Sequence, residues 1–225
     1  MLNDTDNSYF LSEVADKIEL KSRYLFSSNS FLVFPSIGAL VAGHVLIIPK
    51  HHITAMAFLD ANQSLELEEV IEEIGVLLRK IYRKNIIAME HGVIDENRAS
   101  CVSHAHIHML PIDVNLVELI NKEKKKISLK QLLEFRERKD DYLLSTNDLK
   151  TYYLCDLGEL PSQFLRKIIF DASNLTGSWN WKYDNRIELL KQTIDDIAAE
   201  INNLDIRESY KKLLQSTLLT SRGLR

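Results

Sequence analysis

Cysteine is nearly absent from this chain of 225 residues, with only Cys101 and Cys155 present. Two cysteines so far apart cannot build a disulfide framework, so the fold must be held by a core of its own. Glycine and proline are sparse as well, at seven and four residues. That scarcity excludes collagen-like and low-complexity chains. Purely apolar runs extend over only a few positions, far short of the roughly 20 residues a membrane span requires. Neither sign of charge dominates: the formal balance is −4, which argues against nucleic acid or an anionic membrane as the principal partner. The N-terminal stretch from Met1 to Asp6 lacks the basic and apolar regions of a secretory signal. A cytoplasmic protein is therefore expected. The 45% hydrophobic and 27% charged content is that of an ordinary globular protein, long enough for one large domain or a compact domain with an extension.

Histidine is what the chain does have, and its placement is uneven. All seven (His44, His51, His52, His91, His104, His106 and His108) fall between residues 44 and 108. Three of them alternate with apolar residues in Ser103-His104-Ala105-His106-Ile107-His108-Met109-Leu110-Pro111. In a β-strand this period of two sets the three imidazoles on one face and Ala105, Ile107 and Met109 on the other. A row of imidazoles suits metal ligation, proton transfer or nucleophilic attack. The plain alternative is a solvated strand face rich in histidine.

The surrounding pattern predicts an α+β architecture with a mainly antiparallel sheet. Tyr24–Phe26, Phe31–Phe34 and Val45–Ile48 read as short strands, with Pro35, Gly38, Gly43 and Pro49 at the turns. Asp60 and Gln63 form a capping box, and Leu67, Val70, Ile71, Ile74, Leu78 and Ile81 recur at helical spacing behind it. Ile86–Met89 is a second apolar run, followed by Glu90-His91-Gly92 and a polar loop into the histidine stretch. Beyond Pro111 the charged run from Lys122 to Lys126 reads as a solvated helix face. Thr151–Leu154 reads as a further strand, and Pro161 opens a helix through Ile169. A long helical region ends the chain. The expected division is a core over 1–113 and a mostly helical C-terminal extension over 114–225, packed on the core.

Three blocks carry a resemblance to a known family. HAHIHML at 104–110 resembles the histidine triad (HIT) superfamily. Phe34-Pro35-Ser36-Ile37-Gly38 leading to Gly43-His44-Val45-Leu46-Ile47-Ile48-Pro49-Lys50-His51-His52-Ile53 is similar to its upstream nucleotide-pocket strands. Glu90-His91-Gly92 stands where the family has a polar-Gly turn before the phosphate loop. The resemblance implies that His106 attacks the α-phosphorus of a nucleotide to give a nucleotidyl-histidine. His108 would contact the phosphate or leaving group, and His104 would orient His106 by hydrogen bonding. His44 would pack beside the triad, either as a catalytic group or as a buried, hydrogen-bonded one. Ser36 stands where many members carry an acidic or amide residue for the ribose hydroxyls, and serine cannot accept two such bonds with full charge. Ile37 fits contact with the base or a place in the core. Ser100, Ser103 and local N–H groups fit the phosphate, while Cys101 reads as a small packed residue.

Later, Pro161–Arg166 and Trp179-Asn180-Trp181 resemble an extension of larger bacterial-type HIT proteins. Arg166 or Lys167 would reach a phosphate there, and the tryptophans read as packing residues or as stacking partners for a base. The leading expectation is a hydrolase of dinucleoside polyphosphates or nucleoside phosphoramidates, with a nucleotide or nucleotide conjugate as substrate. A nucleotidyltransferase or phosphorylase using a non-water acceptor is the alternative. A zinc- or nucleotide-binding protein without turnover is another. No cofactor is expected beyond a peripheral structural zinc in that last reading. The resemblance implies pairing through the long helix at 64–84 and a sheet edge, which gives a homodimer as the expected assembly; the alternative is that the C-terminal extension covers that surface.

Overall fold

The computed structural model describes residues 24–94, 104–137, 140–156, 158, 160–161 and 163–203. Eight strands form one antiparallel sheet: β1 (Phe26–Ser27), β2 (Phe31–Pro35), β3 (Val45–Pro49), β4 (Ile86–Gly92), β5 (Ile107–Pro111), β6 (Lys125–Ile127), β7 (Tyr142–Thr146) and β8 (Tyr152–Asp156). Their order across the sheet is β1-β2-β3-β5-β4-β7-β8-β6. The described helices are α1 (Ala61–Tyr82), the single turn α2 (Leu116–Leu119), α3 (Phe164–Ala172) and α4 (Ile187–Asn203), with 3₁₀ turns at Met56–Phe58 and Leu129–Phe135. The expected α+β fold with an antiparallel sheet and a long packing helix is what the chain adopts.

The alternation of each strand divides the core in two. On one face, Val45, Ile47, Ala88, Ile107, Met109 and Leu144 pack against Leu67, Val70, Ile71, Ile74 and Leu78 of α1. The expected capping box starts that helix: Gln63 N–H donates to Asp60 Oδ1 at 2.8 Å and Asp60 N–H to Gln63 Oε1 at 3.0 Å. On the other face, Ile87, Met89, Leu110, Leu143 and Cys155 pack against Leu40 and against Leu165 and Ile169 of α3. The histidines stand on this second face, because His108 is paired across the sheet with Leu46 on β3 and Met89 on β4.

Three local expectations differ from the structure. Lys125 and Lys126 lie on an edge strand that pairs with β8, not on a helix face. Alternation buries Ile127 and leaves the two lysines exposed, and charge alone carried no period to reveal it. Glu90-His91-Gly92 is the end of β4 and not a turn, being paired residue by residue with Tyr142–Leu144 of β7. The boundary expected at residue 113 runs through a continuous sheet, since β7 hydrogen-bonds to the free edge of β4 and β8 and β6 follow outward.

Candidate active site

Three imidazoles lie ring against ring. His106 and His108 have centroids 4.8 Å apart, and His44, from the turn before β3, lies 5.1 Å from His108. Strand alternation brings His106 and His108 to one face, and β3 beside β5 brings His44 to them. His104 does not join this cluster. Its Nε2–H donates to the Pro49 carbonyl at 2.8 Å, and its ring stands edge-on to His52 at 5.2 Å. The expected link from His104 to His106 exists, but through the backbone: His106 Nδ1–H donates to the carbonyl oxygen of His104 at 2.8 Å.

These bonds determine where each proton sits. Leu40 N–H donates to His44 Nδ1 at 3.1 Å, so the His44 proton is on Nε2. From there it donates to His108 Nδ1 at 2.9 Å, which leaves the His108 proton on Nε2. In His106 the proton is held on Nδ1, and Nε2 carries the free lone pair. Burial pushes the pKa of His44 and His108 well below the ordinary 6.5, with the Arg166 and His106 charges adding to it. Burial also lowers His106, whose bond to the His104 carbonyl opposes the shift. All three rings are neutral at pH 7. The arrangement can present a nucleophilic nitrogen at His106 beside a hydrogen-bond donor at His108.

Two further residues belong to this neighbourhood. His91 on β4 has a buried Nε2 with no hydrogen-bond partner among the described residues, and its proximity depresses His106. It is legible in the sequence only as one of the clustered histidines. Arg166 of α3 is 4% exposed, yet no carboxylate among the described residues pairs with it. Its Nε donates to the Trp179 carbonyl at 3.0 Å and its Nη2 to the Gly38 carbonyl. Burial lowers its pKa to about 10, so it stays cationic at neutral pH.

The remaining predicted site residues are placed as follows. Ser36 is buried and its hydroxyl donates to the Ile37 carbonyl at 3.1 Å, while Ile37 is half-buried in the same loop. Ser100, Cys101 and Ser103 lie outside the described residues. Lys167 is exposed and pairs with Asp171. Trp179 packs on the α3 side of the core, and Trp181 against Gly38. Among the described residues, no three His, Cys, Asp or Glu side chains are arranged to hold a metal ion. No helix among them is long and apolar enough to cross a membrane.

Residues 17–115 match the family model of the HIT domain. An uncharacterized HIT-like protein of Borreliella burgdorferi is 26% identical over 94 residues, spanning 41% of this chain and 68% of that one. A HIT-like protein of Bartonella henselae, described as involved in cell-cycle regulation, is 20% identical. That likeness covers 47% of this chain and 79% of the other, with a TM-score of 0.38. A DUF4931 family protein of Bacillus cereus is 12% identical over 75% of this chain and 98% of its own, with a TM-score of 0.43. The histidine strand thus lies within the stretch 17–115 that matches a HIT domain.

Proposed function

We propose that the chain is a nucleotide-processing enzyme in which His106 attacks the α-phosphate of a nucleotide or nucleotide conjugate. One observation carries the proposal: the His106 proton is held on Nδ1 by the His104 carbonyl at 2.8 Å. Nε2 is thereby left as a neutral nucleophile. The choice of a nucleotide rests on the match of residues 17–115 to the HIT domain. In the first displacement the Nε2 lone pair forms an N–P bond, and the bond from phosphorus to the leaving group breaks. The leaving group departs with that electron pair, steadied by a hydrogen bond from the Nε2–H of His108, and takes its proton from solvent. In the second, water attacks phosphorus and the N–P electrons return to His106. The proton of the attacking water passes to solvent. Splitting one displacement into two keeps each within reach of a weak base.

Transfer to an anionic acceptor such as phosphate is the second reading, favoured by the cation Arg166 beside the cluster, which has no carboxylate partner among the described residues. A panel of dinucleoside polyphosphates and nucleoside phosphoramidates, with and without added phosphate, separates the two by product. His106→Ala is expected to keep the fold and lose at least about 10³-fold in turnover, as nucleophile removal does. Intact mass of His108→Ala with substrate should show a nucleotidyl group on His106. Wild-type turnover by His106→Ala would overturn the assignment.

A further inference from the structure

The proton arrangement of the cluster begins outside it, in a loop that the C-terminal segment grips from three sides. Residues 38–40 lead into His44, and Leu40 N–H is the donor that keeps His44 Nδ1 unprotonated. Arg166 Nη2 donates to the Gly38 carbonyl, and Arg186 Nη1 donates to the Leu40 carbonyl at 3.2 Å. From the other direction, Gly38 N–H donates to the Asn185 carbonyl at 2.7 Å. Gly38 adopts a left-handed φ of +61°, and a Cβ there would collide with Trp181. Gly43, on the far side of the loop, donates its N–H to Thr193 Oγ1 of α4 at 2.9 Å. Every one of these partners lies between residues 166 and 193, outside the matched domain at 17–115.

Arg186 is itself held for the task. Its Nε donates to Asp184 Oδ2 at 3.2 Å, its Nη2 to the Thr176 carbonyl, and its guanidinium lies over the Phe170 ring. The fork is planar and rigid, so anchoring one edge aims the other.

We propose that Arg166 and Arg186 are positioning residues that hold the 38–40 loop where Leu40 N–H dictates the tautomer of His44, and through His44 that of His108. If the loop moves, Leu40 N–H leaves His44 Nδ1, and the imidazole is free to carry its proton on either nitrogen. With the proton on Nδ1, His44 Nε2 becomes an acceptor and His108 must donate from Nδ1. His108 Nε2 then has no proton to give. The C-terminal segment thus sets which atom of His108 is the donor.

This inference leans on the proposed function for its catalytic meaning, but its test needs no substrate. Long-range ¹H–¹⁵N spectra of the full chain with labelled histidine report protonation at each ring nitrogen. Wild type is expected to show His44 and His108 with Nδ1 unprotonated and Nε2 protonated at pH 8. In Arg186→Gln, and more so in the Arg166→Gln/Arg186→Gln double variant, the two His44 nitrogen shifts should move toward each other as tautomers mix. Arg186→Lys, which keeps a donor, should restore the wild-type pattern in part. On a substrate found by the panel above, kcat should fall about 10- to 100-fold with KM changed less than about threefold. A wild-type His44 protonated on Nδ1 overturns the inference, as does an unchanged His44 spectrum in folded Arg186→Gln. If the double variant unfolds, the single variant decides by the same signal. Failure of His106→Ala to lose activity sinks the enzymatic reading and leaves the tautomer result standing.

Discussion

Burial sets the protonation of every group around His106, and it acts in opposite directions on the two faces of the sheet. The histidine side favours neutral imidazoles, because their pKa values lie below the unfolded value near 6.5. Their stabilising contribution is therefore complete above pH 6.5 and is lost as pH falls through the folded values. Activity that requires neutral His106 should likewise hold down through pH 6.5, with the acid limb of kcat/KM below it. An acid limb above 6.5 would contradict the role proposed for buried His106. On the opposite face, Glu90 accepts Met56 N–H at 2.7 Å and the Tyr142 hydroxyl at 2.8 Å, and burial raises its pKa to about 7. Its folded value exceeds the unfolded 4.5, so its contribution is present below pH 4.5 and is lost as pH rises through 7. Glu90→Gln removes that loss. The urea midpoint of this variant relative to wild type should rise between pH 4.5 and 7, where Glu90 loses its contribution, and level off above 7. Parallel profiles would show that Glu90 does not ionise across the transition. The histidines were legible from alternation, but the Glu90 role was not: its partners come from Met56 and Tyr142, 34 and 52 residues away.

At the scale of elements, α1 was readable because two independent signals agreed, the Asp60–Gln63 box and the 3.6-residue apolar period. Asp60→Ala should cost about 1 kcal/mol, read as a lowered thermal midpoint with an unchanged spectrum. Leu78→Ala, emptying a fully buried site on the sheet-facing side, should cost about 2–5 kcal/mol. β4 was harder to read beyond Met89, since a carboxylate, an imidazole and a glycine carry no strand preference. Gly92 is required there by contact: a Cβ would run into the ring of Tyr142, whose hydroxyl serves Glu90. β6 escaped detection for the reason that protects it, a short lysine-bearing edge having almost no apolar pattern to read.

For the whole molecule, the matched domain and the described residues after it share one sheet, and the later residues hold the 38–40 loop. A chain ended at residue 113 would expose the β4 edge along Ala88–Gly92 and the apolar face of Ile87, Met89 and Leu110 that α3 covers. It is expected to elute as aggregates on size exclusion, and a stable monomer would show that the later strands are dispensable. The strands up to β5 were legible as local apolar runs, but their order across the sheet was not. The β3–β5 pairing joins Val45 to Met109 across 64 residues, and the β4–β7 pairing joins Ala88 to Thr146 across 58.

The sheet finishes at β6, where Lys125 and Lys126 stand exposed on a three-residue strand. Two such edges brought together place ammonium groups against ammonium groups, a repulsion that reaches about 10 Å at 0.1 M salt and about 3 Å at 1 M. Colloidal behaviour should follow: light scattering from concentrated protein stays flat in dilute buffer and rises with ionic strength, or at low salt in Lys125→Thr/Lys126→Thr.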